Sequence, residues 1–316
     1  MLALGLDVGG THVGVGVVDQ QGKIIARAEM ATRSDRPQSE VLDEIAKTAL
    51  AAAEQAGGLA AMRGIGVGLP GVVEVDRGVL VFADNLGWHN VDIRHELQAR
   101  LGDIPVYAGN DANVAALAEA RAGACKGADS AVLLTLGTGL GGGIIIGGDI
   151  HTGAHFVGGE VGHMIVEVDG RQCNCGTLGC WERYASATAL VLAGRAAMAE
   201  AANGAIAKAA GGDPEKVNAR IVVDAAKAGD PAALAIWQEY IKYLVVGMVS
   251  LTNLLDPQVF VIGGGVSAAG EFLREATQTL LHKMLSFRDS NKPDVKLATL
   301  GNDAGIIGAA MLAHGK

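Results

Sequence analysis

The stretch Leu4-Gly-Leu-Asp-Val-Gly-Gly-Thr11 decides how this chain is read. An apolar run ends in an acid, and two glycines and a hydroxyl follow at once. A second stretch, Val132-Leu-Leu-Thr-Leu-Gly-Thr-Gly-Leu-Gly-Gly-Gly143, repeats the scheme. The spacing of about 130 residues is too long for a solenoid repeat and suggests two similar lobes. In each stretch a strand, a glycine turn and a second strand can aim backbone N–H groups outward as an anion nest, with a threonine hydroxyl as a further donor. Asp7, at the end of its strand, suits the coordination shell of Mg²⁺.

Two other nucleotide folds fit less well. Gly66-Val-Gly-Leu-Pro-Gly71 and Gly137-Thr-Gly-Leu-Gly-Gly142 both spell G-x-G-x-x-G. The dinucleotide fingerprint needs a helix after the glycines, whereas both stretches run into β-like sequence, Val72–Val75 and Ile144–Ile146. No G-x-x-x-x-G-K-[ST] occurs, which argues against a P-loop NTPase.

Outward from these loops the chain alternates strand and helix patterns. Strands are expected at Leu2–Val8, Val13–Val18, Lys23–Met30, Gly64–Leu69, Val79–Phe82 and Val106–Ala108, with helices at Glu40–Ala56, Val91–Leu101 and Ala112–Ala122. The second half predicts strands at Ala131–Leu136, Ile144–Ile146, Val161–Val168, Val259–Ile262 and 295–300. It predicts helices over 186–210, 231–255, 270–285 and 304–314. This is an α/β pattern with mixed sheets.

Composition closes off several classes. Of 316 residues, 46 are glycine, about twice the roughly 22 that average usage gives. Residues that are 50% hydrophobic and 19% charged exclude a disordered chain. A net charge of −9 disfavours nucleic acid and anionic membrane as partners. The longest apolar candidate, Leu244 to Gly265, is interrupted by Asn253, Asp256 and Pro257, and no basic segment precedes the first apolar run. A cytoplasmic protein is expected. The glycine surplus is read as backbone brought close to ligands: Gly5, Gly9, Gly10, Gly14 and Gly16 in one phosphate hairpin, and Gly137, Gly139 and Gly141–Gly143 in its counterpart.

His163 followed by Cys173, Cys175 and Cys180 forms a Cys₃His set. Four such ligands suit tetrahedral Zn²⁺ in a closed, structural site. Cys125 stands apart as a small buried residue. Asn110-Asp111 ends a short strand and opens a helix. The pair is a natural N-cap, and it also places an acid where it could act as a general base towards a hydroxyl. Glu160 and Glu182 bracket the cysteine cluster and are natural acceptors for sugar hydroxyls.

Asp7-Val-Gly-Gly-Thr11, Gly137-Thr-Gly-Leu-Gly-Gly-Gly143, Glu160-Val-Gly-His163 and Cys173-Asn-Cys-Gly-Thr-Leu-Gly-Cys-Trp-Glu182 occur together and in this order. In this the chain resembles the ROK family of sugar kinases and repressors, over essentially its whole length. The resemblance implies an actin-like ATPase (ribonuclease H-like) fold, with two lobes of mixed sheets and an interlobe cleft. The expected division is 1–109 plus 301–316 for a small lobe and 110–300 for a large one, with a zinc-binding element at 163–180. The resemblance further implies transfer of the ATP γ-phosphate to the 6-hydroxyl of glucose, with Asp111 as base. Gly71, Asn85, Asn110, Asp111, Glu160, His163 and Glu182 would hold the sugar. Asp7, Gly9, Gly10, Thr11, Gly137, Thr138 and Gly139 would handle phosphates and Mg²⁺, and Gly263, Gly264 and Gly265 would sit against the adenosine. His163 would serve both zinc and sugar. A homodimer is usual for the family.

Three rival readings follow. One is a kinase for another hexose such as N-acetylmannosamine, fructose or allose. Another is a sugar-responsive repressor-like binding protein, disfavoured because the first phosphate motif starts at residue 7, leaving no room for a helix-turn-helix before it. The third is a polyphosphate-dependent kinase, whose family members lack the cysteine cluster.

Overall fold

Strand β1 (Leu2–Val8) runs antiparallel to β2 (His12–Asp19), and the turn between them holds Gly9, Gly10 and Thr11. A computed structural model describes residues 1–285 and 291–315 of the chain. They form two compact units, Met1–Asp129 with Gly143–Gly159 and Thr299–Lys316, and Ser130–Gly142 with Glu160–Ala298. Residues 110–129 and 143–159 thus group with the N-terminal unit, where the sequence predicts a boundary after residue 109.

In unit 1, β3 (Ile24–Ala31), β4 (Met62–Leu69) and β8 (Val106–Asn110) complete a five-stranded sheet of order β3-β2-β1-β4-β8. β4 is parallel to both β1 and β8. The register pairs Asp7 with Gly68 and Leu69 with Asn110, so three parallel strands end side by side. Helix α1 (Gln38–Glu54) buries Val41, Leu42, Ile45, Ala49 and Ala52, the stripe its helical spacing predicts. β5 (Val72–Glu74), β6 (Val79–Ala83) and β7 (Trp88–Asp92) form a separate antiparallel sheet. Helix α2 (Ile93–Leu101) starts two residues later than expected: Val91 belongs to β7, and the Asp92 side chain caps the helix by accepting from the His95 N–H at 2.9 Å.

The C-terminal helix, Ala304–His314, packs on β1, β4 and α3 (Asp111–Ala122). Glycine makes this close approach possible. A Cβ at Gly5 would strike the backbone of Ile306, one at Gly66 that of Ala309, and one at Gly308 that of Val114. A Cβ at Gly14 or Gly16 would meet the Ile306 side chain. Gly5, Gly14 and Gly16 do lie in the β1–β2 hairpin, but the group brought close to them is the C-terminal helix, where the sequence reading expected a ligand. The start of that helix is fixed by Glu119 of α3, a buried carboxylate that accepts from the N–H groups of Ala124, Thr299 and Leu300.

In unit 2, β9 (Ser130–Leu136) lies parallel to β12 (Val259–Gly263), which lies parallel to β13 (Asp294–Leu297). β10 (Leu140–Ile146) begins inside the glycine run, so the turn is only Gly137–Gly139 and Gly141–Gly143 are strand rather than loop. In unit 1 the end of β10 pairs with β11 (Asp149–Ile150). The helix expected over 186–210 is interrupted at Ala201–Gly204. Around it lie α4 (Glu182–Ala185), α5 (Ala187–Glu200), α6 (Ala205–Ala209) and α7 (Ala219–Lys227). α7 escaped the sequence reading although Asn218 caps it and Val222, Val223, Ala225 and Ala226 are buried. The 161–168 stretch is not a strand: it holds a 3₁₀ turn at Val161–His163 and one bridge, Ile165 to Cys180, because Gly162 sits against the Leu140 carbonyl where a side chain could not. Helix α8 (Pro231–Leu255) is long and apolar enough to cross a bilayer, yet Trp237, Ile241, Leu244, Val245, Met248 and Leu251 are buried within unit 2. α9 (Glu271–Met284) packs beside it.

Candidate active site

Because β1, β4 and β8 end together, unit 1 gathers Asp7, Asn110 and Asp111 at one edge of its sheet. The carboxyl ends of parallel strands are where α/β folds bind ligands. Burial raises Asp7 to a pKa of about 6; the charge of Asp111 adds to the rise and His12 opposes it. Asp111 is the first residue of α3. Its carboxylate remains accessible but lies in enough protein to be desolvated, which raises its pKa. The Ala112 N–H, at 2.7 Å, and the Asn110 side chain pull the other way. No arginine or lysine is among the groups that shift either acid. Two adjoining carboxylates of this kind suit a divalent cation.

Asn110 caps α3 by accepting from the Asn113 N–H at 3.1 Å, and its Nδ2 donates to the Gly71 carbonyl at 3.0 Å. Gly71 has φ +83 and no room for a Cβ beside the Phe82 carbonyl. Asn85 lies against Gly10. Six expected residues of unit 1, Asp7, Gly10, Gly71, Asn85, Asn110 and Asp111, are thereby tied to this region. Thr11 is exposed in the same turn. Sequence reasoning missed two neighbours. Thr32 donates its hydroxyl to the Gly9 carbonyl at 2.6 Å and so fixes the turn. Gly305, near the start of the C-terminal helix, lies directly against the Asp7 carboxylate, where a Cβ would collide.

In unit 2, the ligating atoms of His163, Cys173, Cys175 and Cys180 all lie within 4.8 Å of one another. His163 Nδ1 is 3.8 Å from Cys173 Sγ, and the Sγ atoms of Cys175 and Cys180 are 3.5 Å apart. With Zn–S of about 2.3 Å, tetrahedral ligand atoms sit about 3.7 Å apart, so the donor set fits Zn²⁺ in both chemistry and size. The hairpin that carries it is closed by the Gln172–Leu178 bridge and turns at Gly176, φ +91. Burial and the adjoining Glu182 carboxylate raise the Cys173 thiol, whereas N–H donation from Thr177 lowers Cys175.

Glu182 follows the last cysteine by two residues, and its Oε1 is 3.0 Å from Cys173 Sγ. Its other oxygen, Oε2, faces Gly139, where a Cβ would stand 2.7 Å away. Trp181, fully buried, anchors this segment: its Nε1 donates to the Tyr243 carbonyl at 2.8 Å, and its ring lies flat on Gly247 of α8. A cavity of about 280 Å³ is lined by Thr135, Gly137, Gly139, Leu140, Gly141, Glu182 and Gly264. Gly264 has φ +80 and packs on the Leu136 backbone. Gly263 pairs with Thr135 in the sheet, and Gly265 opens the following 3₁₀ turn. Glu160 precedes the turn that carries His163, and its backbone carbonyl accepts the His163 N–H at 3.2 Å.

Two α/β units, each with a strand–glycine turn–strand element, define an actin-like ATPase fold. Within that class, the chain belongs to the ROK family, which matches residues 3–316. It is 37% identical to a glucokinase of Streptomyces coelicolor, covering 99% of this chain and 98% of that one. It is 37% identical to a glucokinase of Thermotoga maritima, over 98% and 96% of the two chains. The crystal structure of a ROK family glucokinase from Streptomyces griseus in complex with glucose and AMPPNP superposes with a TM-score of 0.81 at 35% identity, covering 100% of both chains.

Proposed function

We propose that the chain is an ATP-dependent glucokinase. The observation that carries this reading is Asp111, an accessible carboxylate at a helix start beside Asn110, whose charge acts on Asp7. The glucokinase relatives supply the substrates it would act on.

Asp111 takes the proton from the 6-hydroxyl as that oxygen bonds to the γ-phosphorus and ADP leaves. A raised pKa makes it a better base than an ordinary aspartate, at the cost of losing its charge at a higher pH. Asn110 holds the start of α3, and so Asp111, in place; in unit 1 it would hold sugar hydroxyls with Gly71 and Asn85, and Glu160, His163 and Glu182 of unit 2 offer hydroxyl partners of their own. Asp7 would hold Mg²⁺, which when bound with ATP neutralises charge on the phosphates. Gly9, Gly10 and Thr11 in unit 1, and Gly137, Thr138 and Gly139 in unit 2, offer backbone and hydroxyl donors. Phosphoryl transfer depends mainly on alignment and charge neutralisation, so these groups suffice without a covalent intermediate. Gly263, Gly264 and Gly265 would leave room for adenosine. His163, Cys173, Cys175 and Cys180 would hold a structural Zn²⁺ whose effect on the reaction passes through the placement of His163 and Glu182.

Phosphorus NMR of the product tests this reading. Incubation with ATP, Mg²⁺ and glucose should give one sugar phosphomonoester bearing phosphate on the 6-oxygen. Release of inorganic phosphate alone would contradict it.

A further inference from the structure

The glycine turn of unit 2 shows an unusual regularity in its carbonyls. The Gly137 carbonyl accepts from the Ala187 N–H at 2.8 Å, and the Thr138 carbonyl accepts from the Thr188 hydroxyl at 2.6 Å. The Gly139 carbonyl accepts from the Gly137 N–H at 3.0 Å. All three carbonyls are therefore engaged by the protein itself. Across a planar trans peptide, C=O and the next N–H point in opposite directions. Tying down the carbonyls of residues 137 and 138 thus aims the N–H groups of Thr138 and Gly139 the other way. Two consecutive amides aimed together make an anion nest.

Both outside donors come from the first turn of α5. The Ala187 N–H is one of the helix-start donors that has no partner within its own helix. Ser186 accepts from the Ala189 N–H at 3.2 Å and holds that start rigid. Of the donors to the three carbonyls, Thr188 supplies the one side chain, and nothing in the sequence singled it out.

We infer that Thr188 is a positioning residue for phosphate: its hydroxyl orients the 138–139 peptide so that the Gly139 amide faces the nucleotide. The inference rests on the kinase reading above. Thr188 touches no substrate itself, so its removal acts through the loop.

Calorimetric titration of the full chain with ATP–Mg²⁺ tests this, alongside steady-state kinetics. Thr188→Val keeps the shape and removes the hydroxyl. One lost hydrogen bond predicts an ATP affinity weaker by about two- to tenfold. The KM for glucose and the zinc content should stay unchanged. Thr188→Ser should restore ATP binding. Equal ATP binding by wild type and Thr188→Val would overturn the inference alone, as would equal weakening for both substrates or failure of serine to rescue. If the wild-type chain binds no ATP, the kinase reading falls and this inference with it.

Discussion

Burial of Asp7, reinforced by the charge on Asp111, holds the Asp7 carboxyl near a pKa of about 6 rather than 3.8. A carboxyl whose folded pKa is raised opposes folding when ionised. The cost is fully present above about pH 6 and disappears as pH falls towards 3.8. Asp7→Asn should therefore raise the Tm of the metal-free protein at pH 8 and leave it nearly unchanged at pH 4. The same variant should need much more Mg²⁺ for turnover. Melting curves at the two pH values, paired with a Mg²⁺ titration of activity, check both effects. A Tm gain of equal size at both pH values would point to a packing effect instead.

Asp111→Asn keeps the size and the helix-start position of the side chain but cannot take a proton. Turnover should fall by about 10²- to 10⁴-fold, the usual contribution of a general base. Glucose affinity, measured by tryptophan fluorescence or calorimetry, should change only a few-fold. A variant retaining more than about a tenth of wild-type kcat would remove Asp111 from that role.

Gly305→Ala sets helix propensity against site geometry. Alanine is the better helix former, by about 1 kcal/mol in a helix interior and by less in the first turn, where Gly305 lies. Here the added methyl would occupy the space of the Asp7 carboxylate. The chain should fold with a Tm close to wild type while Asp7 is displaced. The expected signature is a raised Mg²⁺ requirement and a lower kcat; unchanged Mg²⁺ dependence would show that Asp7 moves aside without consequence.

The cysteine cluster predicts about one zinc per chain by elemental analysis. Cys175 is the exposed cysteine of the set, and its thiol adds nothing to core packing. Loss of stability in Cys175→Ser should therefore report the metal rather than a cavity. We expect lower zinc content, a lower Tm and loss of glucose phosphorylation together. Full activity in a zinc-free preparation would contradict a structural role for the ion.

Much of the candidate site was legible because it is local in sequence. Asp7 sits at a strand end before glycines, Asn110-Asp111 is a capping pair, and the cysteines fall within eight residues of one another. Thr32, Gly305 and Thr188 were not legible. Each acts on a residue far away along the chain, through a sheet register or helix docking that no local pattern encodes. The glycines illustrate the same limit. Gly9 and Gly10 turn the chain at a candidate ligand site, while Gly5 and Gly66 admit the C-terminal helix. Both uses need backbone close to something, and composition alone does not say what. The unbroken helix expected over 186–210 failed for a simpler reason: Asn203-Gly204 is a breaker set among helix-forming alanines.

The most direct test is a coupled assay that follows ADP formation from ATP–Mg²⁺ across a panel of glucose, mannose, fructose, allose and N-acetylmannosamine, with a no-sugar control. The highest kcat/KM is expected with glucose, with negligible ADP release in the absence of sugar. A higher kcat/KM for another hexose, or ADP formation independent of any sugar, would contradict it.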